Sequence, residues 1–416
     1  MKKIVIILIL FCSFLYANEN KEDYMIEWDT NFSPYSGSEN ILFVHEGMQY
    51  LVDKTFPYKK EKKPISILVR LGAMIFIWQP LTELELVTQH EVFGHGYRIR
   101  DIGSNRASVV KYKIKAPIPY SDGGGATVYN FSSKLTSFQE TAISAGGVEA
   151  TAILANRLKM KFMESLRLDP KKAMLYLGAE QDLTAYVLSL NDSVIFANEG
   201  HDIKGYLKWL NNTYFDDTLS TGDITKAALI NFIDPMTYYS IGAYFYYIFT
   251  GKDIKIWTIN FKNLKFLPNT RLGLAPYGLE YYLENFLLYK ESPIYTYFRI
   301  GNHNNNTFLG AGLEYRKLLR FNQNNLGFRF DFYRQPKIYS KEGITTWENI
   351  QVGYSEDDLK KMILGSSFYL IFDKNISKKL DLAFHFEIGY KTDGFIQGES
   401  LKSTPIVRVG LNLGNF

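Results

Sequence analysis

From residue 252 onward the chain repeats one unit: about ten residues in which apolar and polar side chains alternate, closed by Asn, Gly, Lys or Ser turns. The segments are Lys255–Asn263, Thr270–Tyr277, Ile294–Gly301, Thr307–Tyr315, Leu326–Tyr333, Ser366–Asp373, Leu380–Tyr390 and Pro405–Leu413. A period of two puts alternate side chains on opposite faces of a strand. Phe328, Phe330 and Phe332 then face away from Arg329, Asp331 and Tyr333, and Leu382, Phe384, Phe386 and Ile388 face away from Ala383, His385 and Glu387. Apolar on one side and charged on the other is the lipid-out, lumen-in pattern of a transmembrane β-barrel. A soluble β-sandwich alternates in the same way. The expectation is an antiparallel outer-membrane barrel of about 8–12 strands over residues 252–416.

The other end of the chain agrees with export. Lys2 and Lys3 precede an apolar run from Ile4 to Phe14, and Leu15-Tyr16-Ala17 offers a cleavage end. That run is too short to span a bilayer, so residues 1–17 read as a secretory signal peptide. The single cysteine, Cys12, lies within it. A metal site in the mature chain must therefore use histidine and carboxylate ligands. A net charge of +4 gives no electrostatic footprint for nucleic acid. Thirty Tyr and thirty Phe suit either a sugar-binding surface or a membrane-interface belt. The terminal strand Val409–Phe416 resembles the last strand of bacterial outer-membrane proteins, which implies outer-membrane localisation with lipid as a partner.

Residues 18–250 read as a mainly helical domain, making the whole an α+β chain. Pro64–Gln79 is apolar apart from Arg70, and Leu81–Tyr97 continues with helical spacing. Residues 107–120 read as a strand, and Ser121–Gly125 as a flexible turn. A helix over 137–167 opens on Ser137 and Glu140 at capping-box spacing. Further helices cover about 171–190, 201–212 and 223–250, with Asp234 placed to cap the aromatic stretch Met236–Thr250. His45 with Glu46 reads as structural, His303 as a loop residue and His385 as lumen-facing.

The chemistry concentrates in Gln89-His90-Glu91-Val92-Phe93-Gly94-His95-Gly96, which holds two of only six histidines. His90 and His95 are five residues apart, about 140° around an ideal helix, so one metal cannot serve both unless the helix widens. A one-residue π-bulge supplies that widening, and Gly94 tolerates it. Without a bulge, Glu91 and His95 at i, i+4 are the alternative pair of ligands.

The run His90-Glu91-Val92-Phe93-Gly94-His95 resembles the HExxGH motif of the dipeptidyl peptidase III metallopeptidases. The resemblance implies that His90 and His95 bind Zn2+, that Glu91 is the general base, and that a glutamate on a later helix completes the coordination. Glu149 is the residue at the matching place. It is the only charged residue between Glu140 and Arg157, and its surroundings are small and apolar. A lone buried carboxylate there needs a cation or a partner. Gly146 and Gly147 beside it fit the close approach of a helix or a metal. The expected function is outer-membrane-associated zinc hydrolysis of a peptide or protein substrate, with Tyr97, Tyr120, Tyr129 or His201 to stabilise an oxyanion. The alternative is a non-enzymatic barrel, a porin or transport or assembly component, whose helices form a plug.

Overall fold

The structure, a computed structural model, describes residues 24–55, 63–190, 200–214, 219–290, 292–321, 324–339, 344–345, 350–351, 356–377 and 382–413. The expected signal peptide with Cys12, and the terminal Phe416, lie outside the described residues.

The larger strands are β1 (Tyr24–Asp29), β2 (Ala107–Ile114), β3 (Gly125–Phe131), β4 (Ile259–Phe261), β5 (Leu264–Ala275), β6 (Gly278–Tyr289), β7 (Ser292–His303), β8 (Asn306–Phe321), β9 (Asn324–Pro336), β10 (Met362–Ser377), β11 (Leu382–Lys391) and β12 (Thr404–Leu413). The hairpin β2–β3 stands by itself. The other ten form one antiparallel sheet in the order β1-β12-β11-β10-β9-β8-β7-β6-β5-β4, whose outermost strands β1 and β4 do not pair with each other. Two features depart from the sequence expectation. The N-terminal segment β1 crosses from the helical half to pair with β12, with Trp28 opposite Val409. Residues 278–289 form a strand of their own, concealed in the sequence because GLEYYLENFLLY carries aromatic and aliphatic residues on both faces.

The sheet is inverted relative to a soluble core. Arg271, Glu280, Glu284, Arg299, Glu314, Arg329, Asp331, His385, Glu387 and Arg408 are buried on one face, while Leu283, Phe298, Phe330, Phe368, Ile388 and Val407 are exposed on the other. The buried charges pair with one another: Arg299 with Glu280 and Arg408 with Glu387 at 2.8 and 2.9 Å. The sheet curls around the loop 392–403. Arg271 of β5 donates to the Gln397 side chain at 2.6 Å, Arg299 of β7 to the Phe395 carbonyl at 2.8 Å, and Arg408 of β12 to Glu399 at 2.9 Å.

The helices are α1 (Pro34–Thr55), α2 (Pro64–Ala73), a π-helical turn π1 (Met74–Trp78), α3 (Gln79–His90), a second π-helical turn π2 (Glu91–His95), α4 (Gly96–Ile102), α5 (Ser137–Ser165), α6 (Pro170–Leu188), α7 (Asp202–Tyr214), α8 (Thr221–Ala228) and α9 (Pro235–Thr250). Helix α5 starts one residue earlier than its expected box. Thr136 accepts from the Gln139 amide while the Gln139 side chain accepts from Thr136, so Glu140 is left free of capping. Asp234 caps α9 as expected, accepting from the amides of Met236 and Thr237.

Helices pack on the β1 edge of the sheet and beside β5 and β6. Asn40 of α1 exchanges two hydrogen bonds with the Glu27 backbone on β1, at 3.0 and 2.8 Å. His45 of α1 meets Glu85 of α3 at 2.9 Å. Arg70 of α2 donates to the Ile248 carbonyl of α9 at 2.9 Å, and Met236 and Ala243 of α9 share a core with Leu267 of β5 and Leu288 of β6. The β1 edge, with the Glu27 backbone engaged by Asn40, is a poorer template for strand addition. Helix α5 lies against the charged face, where Arg157 is ion-paired with Glu314 and stacked on Tyr35, on which Arg329 and Arg408 also lie.

One buried ion pair ties the helices to loop 392–403. The Arg98 guanidinium of α4 grips both carboxylate oxygens of Glu149 and donates to the Glu399 carbonyl at 2.8 Å, and the Gly398 amide donates to Glu149 at 2.5 Å. Arg98→Ala strands that carboxylate and is expected to cost about 3–5 kcal/mol in denaturant unfolding. Replacing both residues by methionine should recover most of the loss.

Candidate metal centre

The widening expected between His90 and His95 is present. Residues 91–95 form π2, in which the Gly96 amide donates to the Glu91 carbonyl five residues back. The added residue turns the two imidazoles to the same side, with their Nε2 atoms 3.1 Å apart. Close packing makes room for this. A Cβ on Gly147 of α5 would overlap the His90 ring, and one on Gly94 would lie 2.6 Å from the Gly146 carbonyl oxygen. The paired glycines of α5 thus serve the close approach of another helix.

Each ring is oriented from behind. His90 Nδ1 lies 2.9 Å from Asp182 Oδ2 on α6, an atom that also accepts from Thr151 at 2.8 Å. His95 Nδ1 lies 2.6 Å from the Ile143 carbonyl of α5. A carbonyl and a carboxylate only accept, so both Nδ1 atoms carry hydrogen, and in the neutral rings both Nε2 lone pairs point forward. They point at a third acceptor: Asp202 Oδ2, at the start of α7, is 2.8 Å from His90 Nε2 and 3.2 Å from His95 Nε2. Three electron-pair donors about 3 Å apart repel unless a cation lies among them. Tetrahedral zinc with bonds of about 2.0–2.1 Å sets its ligands at about this separation. Protons are the only other remedy. Burial opposes them, yet Asp182 and Asp202 raise His90 well above its ordinary value, and Asp202 raises His95 above its own. The Asp202 carboxyl is held below its usual range, since the two histidines outweigh its burial.

Glu91 completes the constellation. Its carboxylate comes within 4.8 Å of the ligand atoms of both histidines, and the whole group is buried. Thr127 of β3 donates to Glu91 Oε2 at 2.7 Å and to the Glu91 carbonyl at 3.0 Å, so the hairpin β2–β3 holds this carboxylate in place. Tyr186 of α6 stacks on His90 at 5.2 Å between centroids, and its hydroxyl lies 3.4 Å from His90 Nε2. Burial first, then Asp202 and Asp182, keep that phenol protonated and able to donate. In the first turn of α5, burial pushes the Glu140 carboxyl up to about 7, next to the Tyr129 hydroxyl at 3.3 Å.

The structure gathers His90, Glu91 and His95 but does not bring Glu149 to them. Glu149 is satisfied by Arg98 and the Gly398 amide, so the buried carboxylate has a guanidinium partner in place of a metal. Asp202 stands in the expected position of the third ligand. It escaped notice because an aspartate opening a helix reads as a residue placed for the helix dipole. Its one sequence signal is adjacency to His201. Among the oxyanion candidates, Tyr97 is buried beside Arg98, Tyr120 is exposed and donates to the Phe76 carbonyl, and His201 packs edge-on against Tyr186. Tyr186, unremarkable in the sequence, is the hydroxyl nearest the histidines among these. The Asp122–Gly125 run is a turn leading into β3, in which the exposed Asp122 pairs with Lys115.

No protein-family model matches the chain, and no curated protein or solved structure matches it.

Two outcomes follow from this geometry. Asp202→Ala should abolish metal uptake at this centre, as should Gly147→Val, whereas Glu149→Gln should leave it intact, all read by elemental analysis. Metal-free, the raised histidines contribute stability that is complete below their unfolded value near 6.5 and is lost as pH rises through the folded values. Bound metal replaces those protons, so the gap in thermal midpoint between zinc-loaded and stripped protein should widen from about pH 6 to about pH 9.

Proposed function

We propose that this chain is an outer-membrane-associated, zinc-dependent hydrolase whose substrate is a peptide or protein. The observation that carries the reading is the convergence of His90 Nε2, His95 Nε2 and Asp202 Oδ2 with Glu91 beside them. Two imidazoles and one carboxylate leave a position open, as hydrolytic zinc sites do. Zinc held there would acidify a coordinated water and polarise the scissile carbonyl. Glu91, a separate carboxylate steadied by Thr127, takes the proton and later delivers it to the leaving amine. Tyr186 donates its hydroxyl hydrogen to the oxygen on which negative charge develops. Asp182 and the Ile143 carbonyl fix the two ring tautomers through the reaction. The likeness of His90–His95 to the HExxGH motif supports the same roles for His90, Glu91 and His95, with Asp202 in place of the glutamate on the later helix.

The membrane part of the reading rests on the inverted sheet. Outward apolar side chains and inward ion pairs suit a wall set in lipid around a packed lumen. Strands of 10 to 16 residues over β5–β12 are long enough to cross a bilayer at a tilt. Ile65, Leu68, Val69 and Phe76 on α2 and π1, with Ile241, Phe245 and Phe249 on α9, are also exposed and extend the apolar surface over the helices that connect β1 to β5. The second reading, a barrel with a helical plug and no catalysis, has one observation in its favour: α5 packs against the charged face of the sheet and is locked to it by Arg157 and Glu314.

Glu91→Gln separates the two. It should keep the metal and lose about 10²- to 10⁴-fold in hydrolytic rate on a peptide library. His95→Ala and Asp202→Ala should each lose a zinc ion relative to the parent protein, together with the activity. Iron in place of zinc, or undiminished function in Glu91→Gln, overturns the hydrolase. For the membrane reading, Phe368→Arg on the outward face should destabilise the protein in bilayers by about 2–4 kcal/mol and change little if the face meets water.

A further inference from the structure

A second cluster of metal-competent side chains lies on the buried face of the sheet, where β1, β11 and β12 adjoin. Glu27, His385 and Glu387 bring one ligand atom each within 4.8 Å of one another, and all three are buried. The register explains the meeting. His385 and Glu387 share a face of β11, and β1 reaches them across β12, since Gly410 is the partner of both Glu27 and His385. Gly410 carries no side chain, so Glu27 and His385 can face each other over it.

His385 is oriented as His90 is. Its Nδ1 lies 2.7 Å from Asp373 Oδ1 on β10, which fixes the hydrogen there and leaves an Nε2 lone pair in the neutral ring. That Nε2 is aimed at Glu27 Oε2, 3.4 Å away, and Glu387 Oε1, 3.7 Å away. Neither contact is a hydrogen bond. His385 Nε2 and both carboxylate oxygens of Glu27 are buried without any hydrogen-bond partner, although Glu27 is only 1% exposed. A buried carboxylate with no donor on either oxygen is costly. Arg408 does not relieve it: its guanidinium is 3.9 Å from Glu27 and is taken up by Glu387 and Glu399 at 2.9 Å. Separations of 3.4 and 3.7 Å are long for hydrogen bonds but close to the spacing of donors around a shared divalent ion. A cavity lined by Glu39, Arg316, Asp373, His385 and Asn412 reaches the histidine and offers an entry path.

We propose that Glu27, His385 and Glu387 bind a second divalent transition-metal ion, zinc or manganese by donor type, with Asp373 positioning the histidine. The ion joins the isolated N-terminal strand to β11 through side chains, across the strand between them. Its role is structural, because Asp373 is engaged in orienting His385 and Glu387 already carries Arg408 and Arg316.

The test isolates this site from the first. Full-length Asp202→Ala protein, purified in detergent and equilibrated with zinc, should retain one zinc per chain by elemental analysis. Adding Glu27→Gln to it should remove that zinc. Should the double variant fail to fold, cobalt(II) titration of the Asp202→Ala protein reads the site with its residues intact, and a visible absorption band saturating at one cobalt per chain is expected. No zinc and no cobalt band in Asp202→Ala, or zinc retained in the Glu27→Gln double variant, overturns the proposal and leaves His385 as a protonated partner of the carboxylates. Either result stands whether or not the first centre is a hydrolase.

Discussion

The architecture turns on one close approach, that of π2 to Gly146 and Gly147 of α5. Helix α5 is the element shared by both halves of the molecule. Toward its start it supplies the Ile143 carbonyl that orients His95 and the bare backbone on which His90 rests. About three turns beyond Gly147, Arg157 is bound into the charged face of the sheet. Side chains at 146 and 147 would push π2 away and separate the two Nε2 atoms. The widened turn is itself a departure from regular helix, and such turns persist where the surroundings over-determine them. Here the surroundings are Asp182, Ile143, Asp202 and Thr127, contributed by four separate elements.

The sheet obeys a different constraint. Its inner face is a network in which nearly every carboxylate is matched by a guanidinium, and Tyr35 is shared by three arginines. Removing one charge from such a network leaves its partner buried and unpaired, which costs more than the pair contributes when intact. The network is therefore better at specifying one register of sheet and helix than at adding stability. The exposed apolar face contributes little to that packing.

The sheet was legible in the chain because a period of two needs only local sequence. The charged and aromatic faces of β9 and β11 were assigned correctly from alternation alone. β6 was hidden because Tyr281 and Tyr282, and Leu283 beside Phe286, blur the two faces. β1 was hidden because its partner lies at the far end of the chain. At the metal centre, spacing sufficed to demand the π-turn, since five residues on a regular helix put two rings on different sides. It could not identify the third ligand. Glu149 had the burial and the isolation expected of a ligand, and both were satisfied by Arg98, seven residues after Glu91 on the next stretch of helix. Burial of a carboxylate says that a positive charge is near; it does not say whether that charge is a metal or a guanidinium.

That ambiguity is resolved at Asp202 by counting hydrogens. Glu149 faces a guanidinium, which has only donors, so the pair is complete as it stands. Asp202 faces two nitrogens whose rings have spent their hydrogens on Asp182 and Ile143. Neutral, all three atoms are acceptors, and the cluster is short of positive charge. Two protons would supply it below the raised folded values of the two histidines, at the expense of burying two imidazolium rings against each other at 4.9 Å between centroids. One divalent ion among the three would supply the same charge with no such repulsion. The same reasoning applied to Glu27, His385 and Glu387 gives a weaker deficit, because Arg408 and Arg316 already neutralise Glu387. The two clusters therefore differ in what a cation would do for them: at His90 and His95 it would satisfy every electron-pair donor of the cluster, and on the sheet it would chiefly relieve Glu27.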